Sequence, residues 1–269
     1  MTGRLDAVIA ARGLARSRTH AAQLVQDGHV RVDGVGVVKP SARVADDVQI
    51  EVALPDHYVS RAAHKLIAAL DAFAVDPTGR PALDMGASTG GFTQVLRERG
   101  APVVVAVDVG HGQLAESVAA DAGVCAVEGF NVRNMTSQSL RAASGVEADF
   151  TVITGDLSFI SLTHVLPAVA EVAVPCADIV LLIKPQFEVG RTGVREGLVT
   201  DPVRRADAVA GVLWAAWDAG LGVHGLIASP IVGTHGNAEY LVHLRPRGAD
   251  VDEGNPTQWL SIANELAGA

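Results

Sequence analysis

Three lysines stand out in a chain that otherwise uses arginine as its basic residue. Of the 21 basic residues only Lys39, Lys65 and Lys184 are lysines. A lysine ammonium is a compact group whose pKa can fall far enough for it to lose a proton, whereas arginine stays charged. Scarce lysines therefore indicate positions where arginine would not serve, such as a general base. Lys184 follows an apolar run, residues 179–183, which is typical of the end of a buried strand.

A glycine-rich segment follows a predicted strand and precedes a predicted helix. It reads D-x-G-x-x-x-G from Asp84 to Gly90, a pattern typical of the loop around the methionine part of S-adenosylmethionine. Glycines there permit a tight turn and let the backbone approach a ligand at the helix N-terminus. The spacing matches neither a P-loop nor G-x-G-x-x-G, which disfavours nucleoside triphosphate and NAD sites. A purely structural turn is the remaining alternative.

Three successive loops supply the predicted cofactor ligands. The first set is Asp84, Gly86, Ala87, Ser88, Thr89, Gly90, Gly91 and Phe92. Asp84 would neutralise the ligand's ammonium, directly or through a water molecule. Asp108 ends the next strand, 24 residues after Asp84, where a carboxylate accepts hydrogen bonds from ribose hydroxyls. Asn131 lies in the loop after the third strand, where the adenine is expected.

Two carboxylates lie at the ends of later predicted strands. The fourth strand ends in Asp156-Leu157-Ser158-Phe159. Methyltransferases that act on amino groups usually carry Asn/Asp-Pro-Pro-aromatic there, so the sequence argues against methylation of a base nitrogen. Asp156 and Leu157 are also predicted to contact the cofactor. Glu239 opens the last predicted strand, and taken alone it would more often be a surface carboxylate.

Alternating apolar and polar runs predict the elements that hold these residues. Strands are predicted near residues 81–85, 103–107, 124–128, 149–154, 178–183, 223–228 and 239–244. Helices are predicted near residues 91–99, 112–121, 136–143, 161–171 and 202–219, with a terminal helix over residues 257–266. Such alternation is typical of an α/β fold with a mostly parallel, seven-stranded sheet, as in Rossmann-like methyltransferases. Ligands of these sheets bind beyond the carboxyl ends of the strands.

The first 54 residues differ from the rest in pattern and charge. A helix over residues 4–11, a second helix capped by Ser17, and strands over residues 29–34 and 48–52 predict a small α+β unit. The net charge of −9 argues against nucleic acid, but residues 1–31 hold five arginines against two acidic residues. This basic front end indicates RNA binding. The predicted RNA contacts are Arg4, Arg12, Arg16, Arg18 and Arg31.

The longer motifs resemble those of a known family. A helix predicted from Arg61 to Phe73, with Ser60 as its N-cap, begins Arg61-Ala62-Ala63-His64-Lys65-Leu66. Its partners in order along the chain are Asp84–Phe92, Asp156–Leu162, Lys184–Glu188 and Gly236–Tyr240. Together they resemble the TlyA family of bacterial ribosomal-RNA methyltransferases, some of which are labelled haemolysins. The resemblance covers nearly the whole chain and implies an FtsJ-like methyltransferase domain preceded by an S4 RNA-binding domain.

The resemblance implies S-adenosylmethionine-dependent methylation of a cytidine ribose 2′-hydroxyl in 16S ribosomal RNA, 23S ribosomal RNA or both. It implies a catalytic tetrad that falls on Lys65, Asp156, Lys184 and Glu239. Lys184 is then the candidate base; if it stays protonated, it would orient the oxygen instead. The chain opens without the arginine-rich start of long-form members, so the choice of subunit stays open. Ribosomal subunits are the implied partners, and no obligate protein partner is indicated.

These patterns divide the chain into an S4-like domain (residues 1–54), a linker (55–60) and a methyltransferase domain (61–269). No apolar run is long enough to span a membrane and no signal peptide is predicted, so the expected location is the cytoplasm. The two cysteines lack metal-binding spacing, so no metal is expected. The alternatives are a small-molecule O-methyltransferase, a membrane-active haemolysin, and an RNA-binding assembly factor with an inactive site.

Overall fold

The structure is a computed structural model that describes residues 2–45, 47–52, 57–190, 197–233, 236–248 and 253–269. Residues 55 and 56 of the predicted linker lie outside the described residues. The elements of the N-terminal part are β1 (Thr2–Arg4), α1 (Leu5–Ala11), α2 (Arg18–Gln26), β2 (Val30–Val32), β3 (Val35–Gly36), β4 (Arg43–Ala45) and β5 (Ile50–Val52).

The larger part of the chain alternates strands and helices, as its sequence predicts. Its first elements are α3 (Ala62–Phe73), β6 (Ala82–Met85), α4 (Gly91–Glu98), β7 (Val104–Asp108), α5 (Glu116–Ala119), β8 (Val124–Glu128) and α6 (Ser137–Ser144). They are followed by β9 (Val152–Gly155), α7 (Leu166–Val172), β10 (Asp178–Ile183), α8 (Pro185–Glu188), α9 (Pro202–Asp218), β11 (Leu221–Ala228), β12 (Tyr240–Pro246) and α10 (Leu260–Ala267). Short 3-10 helices occur at Val132–Asn134, Leu162–His164 and Pro256–Trp259.

The described residues of the N-terminal unit form two helices and two small antiparallel sheets. β1 pairs with β4, and β2 lies between β3 and β5. The Ser17 hydroxyl accepts a hydrogen bond from the His20 N–H and caps α2, as the sequence predicts. Asp33 and Gly34 both have positive φ and turn the chain from β2 into β3. The unit has its own buried core of Leu5, Ile9, Ala21, Leu24, Val25, Val30 and Val44.

A seven-stranded sheet in the order β11-β12-β10-β9-β6-β7-β8 forms the centre of the larger part. β12 runs antiparallel to both of its neighbours, and the other adjacent strands are parallel. Alternate residues of β10 face two different cores: Val180 and Leu182 belong to one, Ile179 and Leu181 to the other. Helices therefore cover both faces. This confirms the predicted α/β fold with a mostly parallel sheet.

The strand order reverses at β6, which lies between β7 and β9. Crossovers from β6 proceed to one side through β7 and β8, and the chain then returns to the other side through β9 and β10. Loops that leave the carboxyl ends of β6 and β9 therefore diverge and leave a crevice between them. The predicted site loops after β6, β7, β8, β9 and β10 open at this edge.

Two predicted helices are shorter than their sequence patterns suggest. The helix expected over residues 112–121 forms only as α5. Its first residues instead lie in bends, where the N–H of Gly110 bonds to the Asp108 carboxylate and that of Gly112 bonds to Glu128. The helix expected over residues 161–171 is divided into a 3-10 turn and α7, with Pro167 in the first turn of α7.

Candidate functional site

Four charged side chains from four separate elements meet at the carboxyl edge of the sheet. The Lys65 Nζ lies 2.6 Å from Oε2 of Glu239 and 3.8 Å from Oδ2 of Asp156. The Lys184 Nζ lies 2.6 Å from Oδ1 of Asp156. The structure thus brings together all four residues of the predicted tetrad, in the order Glu239, Lys65, Asp156, Lys184. We call this group the charged row.

Strand register explains why residues so far apart in sequence meet. Ile183 of β10 is paired with Tyr240 of the antiparallel β12. The residue after Ile183 and the residue before Tyr240, which are Lys184 and Glu239, therefore lie at the same edge. Gly155 of β9 is paired with Leu181 of β10, which places Asp156 beside them. Lys65 reaches the same point from α3, a helix that packs against β11 and β12.

The charged row is buried, so its charges interact strongly. Lys65, Lys184 and Glu239 are less than one tenth exposed. Burial alone would raise the pKa of Asp156, but the positive charges of Lys65 and Lys184 outweigh it and hold that pKa below its usual value. Asp156 is therefore ionised at neutral pH and is shared by the two lysines.

Lys184 and Asp156 are the two members of the charged row that border a cavity. The Lys184 ammonium donates a hydrogen bond to the Ser158 hydroxyl at 2.8 Å in addition to its contact with Asp156. The tetrahedral Lys184 nitrogen has three positions besides its bond to carbon, so one is left over after these two partners; it holds an N–H in the protonated form and a lone pair in the neutral form. Both residues border a cavity of about 150 Å³, the lysine cavity, whose walls also include Ser60, Ala62, Gly86, Thr89 and Phe92.

A larger cavity of about 630 Å³ adjoins the lysine cavity and shares Gly86, Ser88, Asp156 and Ser158 with it. We call it the cofactor cavity. Its further walls are Val107, Asp108, Val109, Gly110, Gln113, Phe130, Asn131, Val132, Leu157, Phe159 and Ile160. Apolar walls with a few polar groups, in a volume of this size, are typical of a small-molecule site.

The polar groups of the cofactor cavity suit an adenosyl ligand. The Asp108 carboxylate accepts hydrogen bonds from the N–H groups of Ser88 and Gly110, at 2.9 and 2.8 Å. Each carboxylate oxygen keeps a further lone pair, which can accept a ribose hydroxyl as predicted. Asn131 lines the same cavity, but its Oδ1 already accepts the Arg133 N–H, so only one lone pair of that oxygen is left for an adenine amine.

The prediction that Asp84 contacts the cofactor directly is not supported by its position. Asp84 is fully buried below the cavity. Its two carboxylate oxygens accept hydrogen bonds from the hydroxyls of Thr93, at 2.6 Å, and Thr154, at 3.0 Å. Burial raises the pKa of Asp84 to about 6, despite these two hydrogen bonds. Asp84 therefore connects β6 to α4 and β9 and does not line either cavity. Contact with the cofactor through a water molecule stays a prediction.

The glycines in the loop after β6 allow other parts of the chain to pack closely against this loop. A side chain on Gly90 would collide with Leu114 and Val118, so Gly90 allows this close packing, and its contact with the cofactor stays a prediction. A Cβ on Gly91 would lie 2.9 Å from the Ser60 Cβ, so Gly91 lets the start of α3 approach α4. Gly86 has φ +78° and allows close contact with the Asp156 carbonyl while it borders both cavities.

The five predicted RNA-binding arginines are exposed on the N-terminal unit. Arg4 and Arg18 converge on the buried carboxylate of Asp6, at 2.8 and 3.4 Å. Arg12 donates to the Val48 carbonyl. Arg31 differs in position, because it lies on β2 opposite Glu51 and lines a cavity between the unit and α3. RNA contact by all five remains a prediction.

Several residues of the site were not predicted from the sequence. Ser158 accepts a hydrogen bond from the Lys184 nitrogen. It lies within the Asp156–Leu162 motif, but the sequence did not predict this contact. Glu188 joins the loops after β9 and β10, because its carboxylate accepts hydrogen bonds from the Ser161 hydroxyl and the Leu162 N–H. Its burial raises its pKa. Phe159 is 92% exposed with φ +65° at the mouth of the cofactor cavity. No spacing rule indicates these contacts.

Two family models match the chain: FtsJ-like methyltransferase over residues 58–246 and S4 domain over residues 3–50. A protein of Mycobacterium tuberculosis named 16S/23S rRNA (cytidine-2′-O)-methyltransferase TlyA is 49% identical over 245 residues, which cover 90% of this chain and 89% of that protein. Hemolysin A of Brachyspira hyodysenteriae is 36% identical over 90% of this chain and 99% of its own length.

A solved structure from Streptococcus thermophilus, whose protein also carries a hemolysin name, covers 99% of this chain and 96% of its own. Its TM-score is 0.75 at 33% identity. No helix within the described ranges is both long and apolar enough to cross a membrane. The described residues also contain no group of three or more histidine, cysteine or acidic side chains placed to hold a metal ion.

Proposed function

The chain belongs to the FtsJ-like methyltransferase family and carries an N-terminal S4 domain, and from this premise we propose that it methylates the ribose 2′-hydroxyl of a cytidine in ribosomal RNA. Support comes from the relative in Mycobacterium tuberculosis, whose name states that reaction. We retain the division into an S4-like domain (residues 1–54), a linker (55–60) and a methyltransferase domain (61–269).

The observation that carries the proposal is the position of Lys184. Lys184 borders the lysine cavity, which adjoins the cofactor cavity and shares four of its wall residues. A hydroxyl placed in the lysine cavity would thus lie between a lysine and the methyl donor. That arrangement suits transfer to an oxygen that must lose a proton, because a ribose hydroxyl is a weak acid.

The residues of the cofactor cavity fit S-adenosylmethionine. When bound, this cofactor supplies a methyl group on a sulfonium, which is a strong electrophile with a good leaving group. Asp108 would hold the ribose hydroxyls of the adenosyl part, and Val109, Phe130 and Leu157 offer apolar surface to its rings. The backbone of Gly86 to Ser88 would hold the methionine part, since Gly86 and Ser88 border both cavities and Ala87 borders the lysine cavity.

The protein's contribution is then to orient the 2′-oxygen and to accept its proton. We assign the proton to the Lys184 nitrogen, which must enter the step as the neutral amine, with its two N–H groups on Asp156 and Ser158 and its lone pair toward the 2′-oxygen. The O–H bond would break and its proton would pass to this nitrogen as the oxygen bonds to the methyl group and displaces the sulfur of the donor. Asp156 and Ser158 fix the direction of that nitrogen. Lys65 and Glu239 lie behind Asp156 and hold it in place without facing the lysine cavity. Both the positioning of the 2′-oxygen and the removal of its proton lower the activation barrier for methyl transfer.

We propose that the substrate is 16S ribosomal RNA, 23S ribosomal RNA or both, presented within ribosomal subunits in the cytoplasm. The exposed arginines of the N-terminal unit would contact phosphates, so RNA binding should weaken as salt rises. A small-molecule substrate is disfavoured because the chain carries an S4 domain, and binding of RNA by that domain would not contribute to such a reaction.

One experiment tests the proposed function. The purified chain is incubated with S-adenosylmethionine labelled on its methyl group and with separated ribosomal subunits from cells that lack this modification. Label at a cytidine 2′-oxygen, mapped by nuclease digestion and mass spectrometry, is the expected result. Label on a base, or none on either subunit while the cofactor binds, would overturn the proposal. Lysis of erythrocytes without RNA methylation would instead support the haemolysin alternative.

A further inference from the structure

A third cavity, of about 440 Å³, adjoins the lysine cavity and is lined in part by the N-terminal unit. The two cavities share Ser60 and Thr89. We call the third the interdomain cavity, because its walls come from the end of α2 and the residues after it, and from the start of α3 and the residues before it; they include Gln26, His29, Tyr58, Ser60, Arg61 and His64. The cofactor cavity, the lysine cavity and the interdomain cavity therefore lie next to one another in this order.

Arg61 lines the interdomain cavity and lies close to both parts of the chain. Its Nη1 donates a hydrogen bond to the Gln26 carbonyl at the end of α2, at 3.3 Å. Its side chain also packs over Gly28, where an added Cβ would lie 3.0 Å from Nη1. Arg61 also acts on the charged row. Burial raises the pKa of Asp156, and the positive charge of Arg61 is one of the charges that lower it. Arg61 is therefore near the charged row as well as the S4 domain.

The chemistry of the proposed substrate requires an anion near this place. In RNA the 2′-hydroxyl and the 3′-phosphate are on neighbouring ribose carbons, so a phosphate must accompany any 2′-oxygen that reaches Lys184. The charged row attracts this phosphate only weakly, because its two carboxylates balance the charges of its two lysines. Arginine binds phosphate through a planar set of donors. Arg61 is partly exposed, and only one of its donors is used by Gln26.

We propose that Arg61 binds the RNA phosphate next to the target ribose, in the interdomain cavity. This inference rests on the proposed function and adds a specific site to it. His29 and His64 lie on the same walls, and the acidic Asp27 does too. The Asp27 carboxylate already accepts a hydrogen bond from Gln23 at 2.8 Å. The site would thus connect binding by the S4 domain to placement of the reacting oxygen.

The test compares Arg61→Gln with the wild-type protein. Glutamine keeps a donor for the Gln26 carbonyl but removes the charge. Binding to unmodified ribosomal subunits is measured by filter retention at several potassium chloride concentrations between about 50 and 200 mM. Arg61→Gln should weaken binding at least about tenfold and reduce the slope of log affinity against log salt by about 0.7 to 0.9. Affinity for S-adenosylmethionine should change by less than about twofold.

Two further variants make the test specific. Arg61→Lys keeps the charge and should restore the salt slope. Arg141→Gln removes an exposed arginine on α6, which pairs with Asp149 away from these cavities, and should leave both quantities unchanged. The inference is overturned if Arg61→Gln binds with the wild-type salt slope, if it loses cofactor affinity, or if Arg61→Lys fails to restore the slope. Failure of the wild-type protein to bind either subunit would contradict the proposed function instead.

Discussion

The Lys65 Nζ lies 2.6 Å from Oε2 of Glu239, and 174 positions separate the two residues in the chain. Both side chains are buried, and the lysine cavity is formed by other residues. The pair therefore acts through its neighbour: Glu239 balances the Lys65 charge, and Lys65 in turn lies 3.8 Å from Asp156. Removal of one partner should disturb both the stability of the fold and the position of Asp156.

Glu239→Gln should destabilise the protein and suppress methylation. The variant leaves the buried Lys65 ammonium without its closest anion, and loss of one partner of a buried ion pair costs about 3–5 kcal/mol. The free energy of unfolding, from urea titration, measures this cost. Methylation of ribosomal subunits should fall at least about 100-fold, since Asp156 would turn toward Lys65 and release Lys184.

A double variant separates the structural from the positioning role of the pair. Lys65→Met with Glu239→Leu replaces both charges with apolar groups, which is often neutral or stabilising at buried ion pairs. The free energy of unfolding should return to within about 1 kcal/mol of wild type, while methylation stays suppressed. Recovery of methylation in the double variant would show that the pair serves the fold alone.

Lys184→Arg should abolish methylation and leave cofactor binding within about threefold of wild type. Arginine stays charged and cannot accept the 2′-oxygen proton, and its larger head would fill the lysine cavity. Single-turnover methylation and calorimetric titration with S-adenosylmethionine measure the two effects. Lys39→Arg, a change of an exposed lysine on the N-terminal unit, is the matched control and should retain activity. Methylation by Lys184→Arg above about one tenth of wild type would rule out a lysine base.

Much of this fold could be predicted from periodicity and loop chemistry. The strands at residues 124–128 and 178–183 match their predicted bounds, because each is an apolar run between turn residues. Once strands and crossovers are assigned, parallel topology places the loops after them at one edge. That is why Asp156 and Lys184 could be expected there. The S4 domain was identified through resemblance and the FtsJ-like domain likewise, and both family models agree.

Other features depend on tertiary contacts that a sequence pattern does not encode. β1 and β4 are three residues each and pair across about forty positions, too short for a recognisable alternation. Asp84 has the spacing of a ligand residue but faces inward, because Thr93 and Thr154 offer hydroxyls from α4 and β9. Asp178 binds Arg80, His243 and Arg245, although its sequence context is an apolar strand. The direction of the side chain at the strand end decides whether such a residue faces a ligand or binds other protein groups. The spacing of a motif does not determine that direction.

Gly91→Ala should weaken both stability and activity. The added Cβ would lie 2.9 Å from the Ser60 Cβ and 3.2 Å from the Ala63 nitrogen, so α3 must shift away from α4. Overpacking of this kind costs about 1–3 kcal/mol. Because α3 carries Lys65, methylation should fall more than the loss of folded protein accounts for. Thermal denaturation and methylation at a temperature where the variant is folded measure the two effects.

Gly211→Ala is the matched control for that substitution. Gly211 lies within α9, and a Cβ there meets no other atom within 4 Å. Alanine in an exposed helix position should therefore stabilise the protein by about 0.5–1 kcal/mol through its higher helix propensity. If both glycine variants change stability in the same direction, the close approach of α3 and α4 is not what requires Gly91.

Asp84→Asn should change the pH dependence of stability in a defined direction. Burial raises the pKa of Asp84 to about 6, from an ordinary value of 3.8. The folded protein therefore holds this proton more tightly than the unfolded chain does. The stabilising contribution of Asp84 is fully present below about pH 4 and is lost as pH rises through about 6. Above that pH the buried charge costs roughly 1–3 kcal/mol, at 1.36 kcal/mol for each pKa unit.

Asparagine has no such proton, and its amide can still bond to the hydroxyls of Thr93 and Thr154, which donate or accept. We therefore expect Asp84→Asn to be more stable than wild type at pH 7.5 by roughly 1–3 kcal/mol and to lose that advantage near pH 4. Urea unfolding at both pH values measures the difference. Asp207→Asn, on the exposed side of α9, should change stability by less than about 0.5 kcal/mol at either pH. A loss of stability in Asp84→Asn at pH 7.5 would mean that the two threonine bonds to an ionised Asp84 outweigh its burial, and that the carboxylate is charged throughout this range.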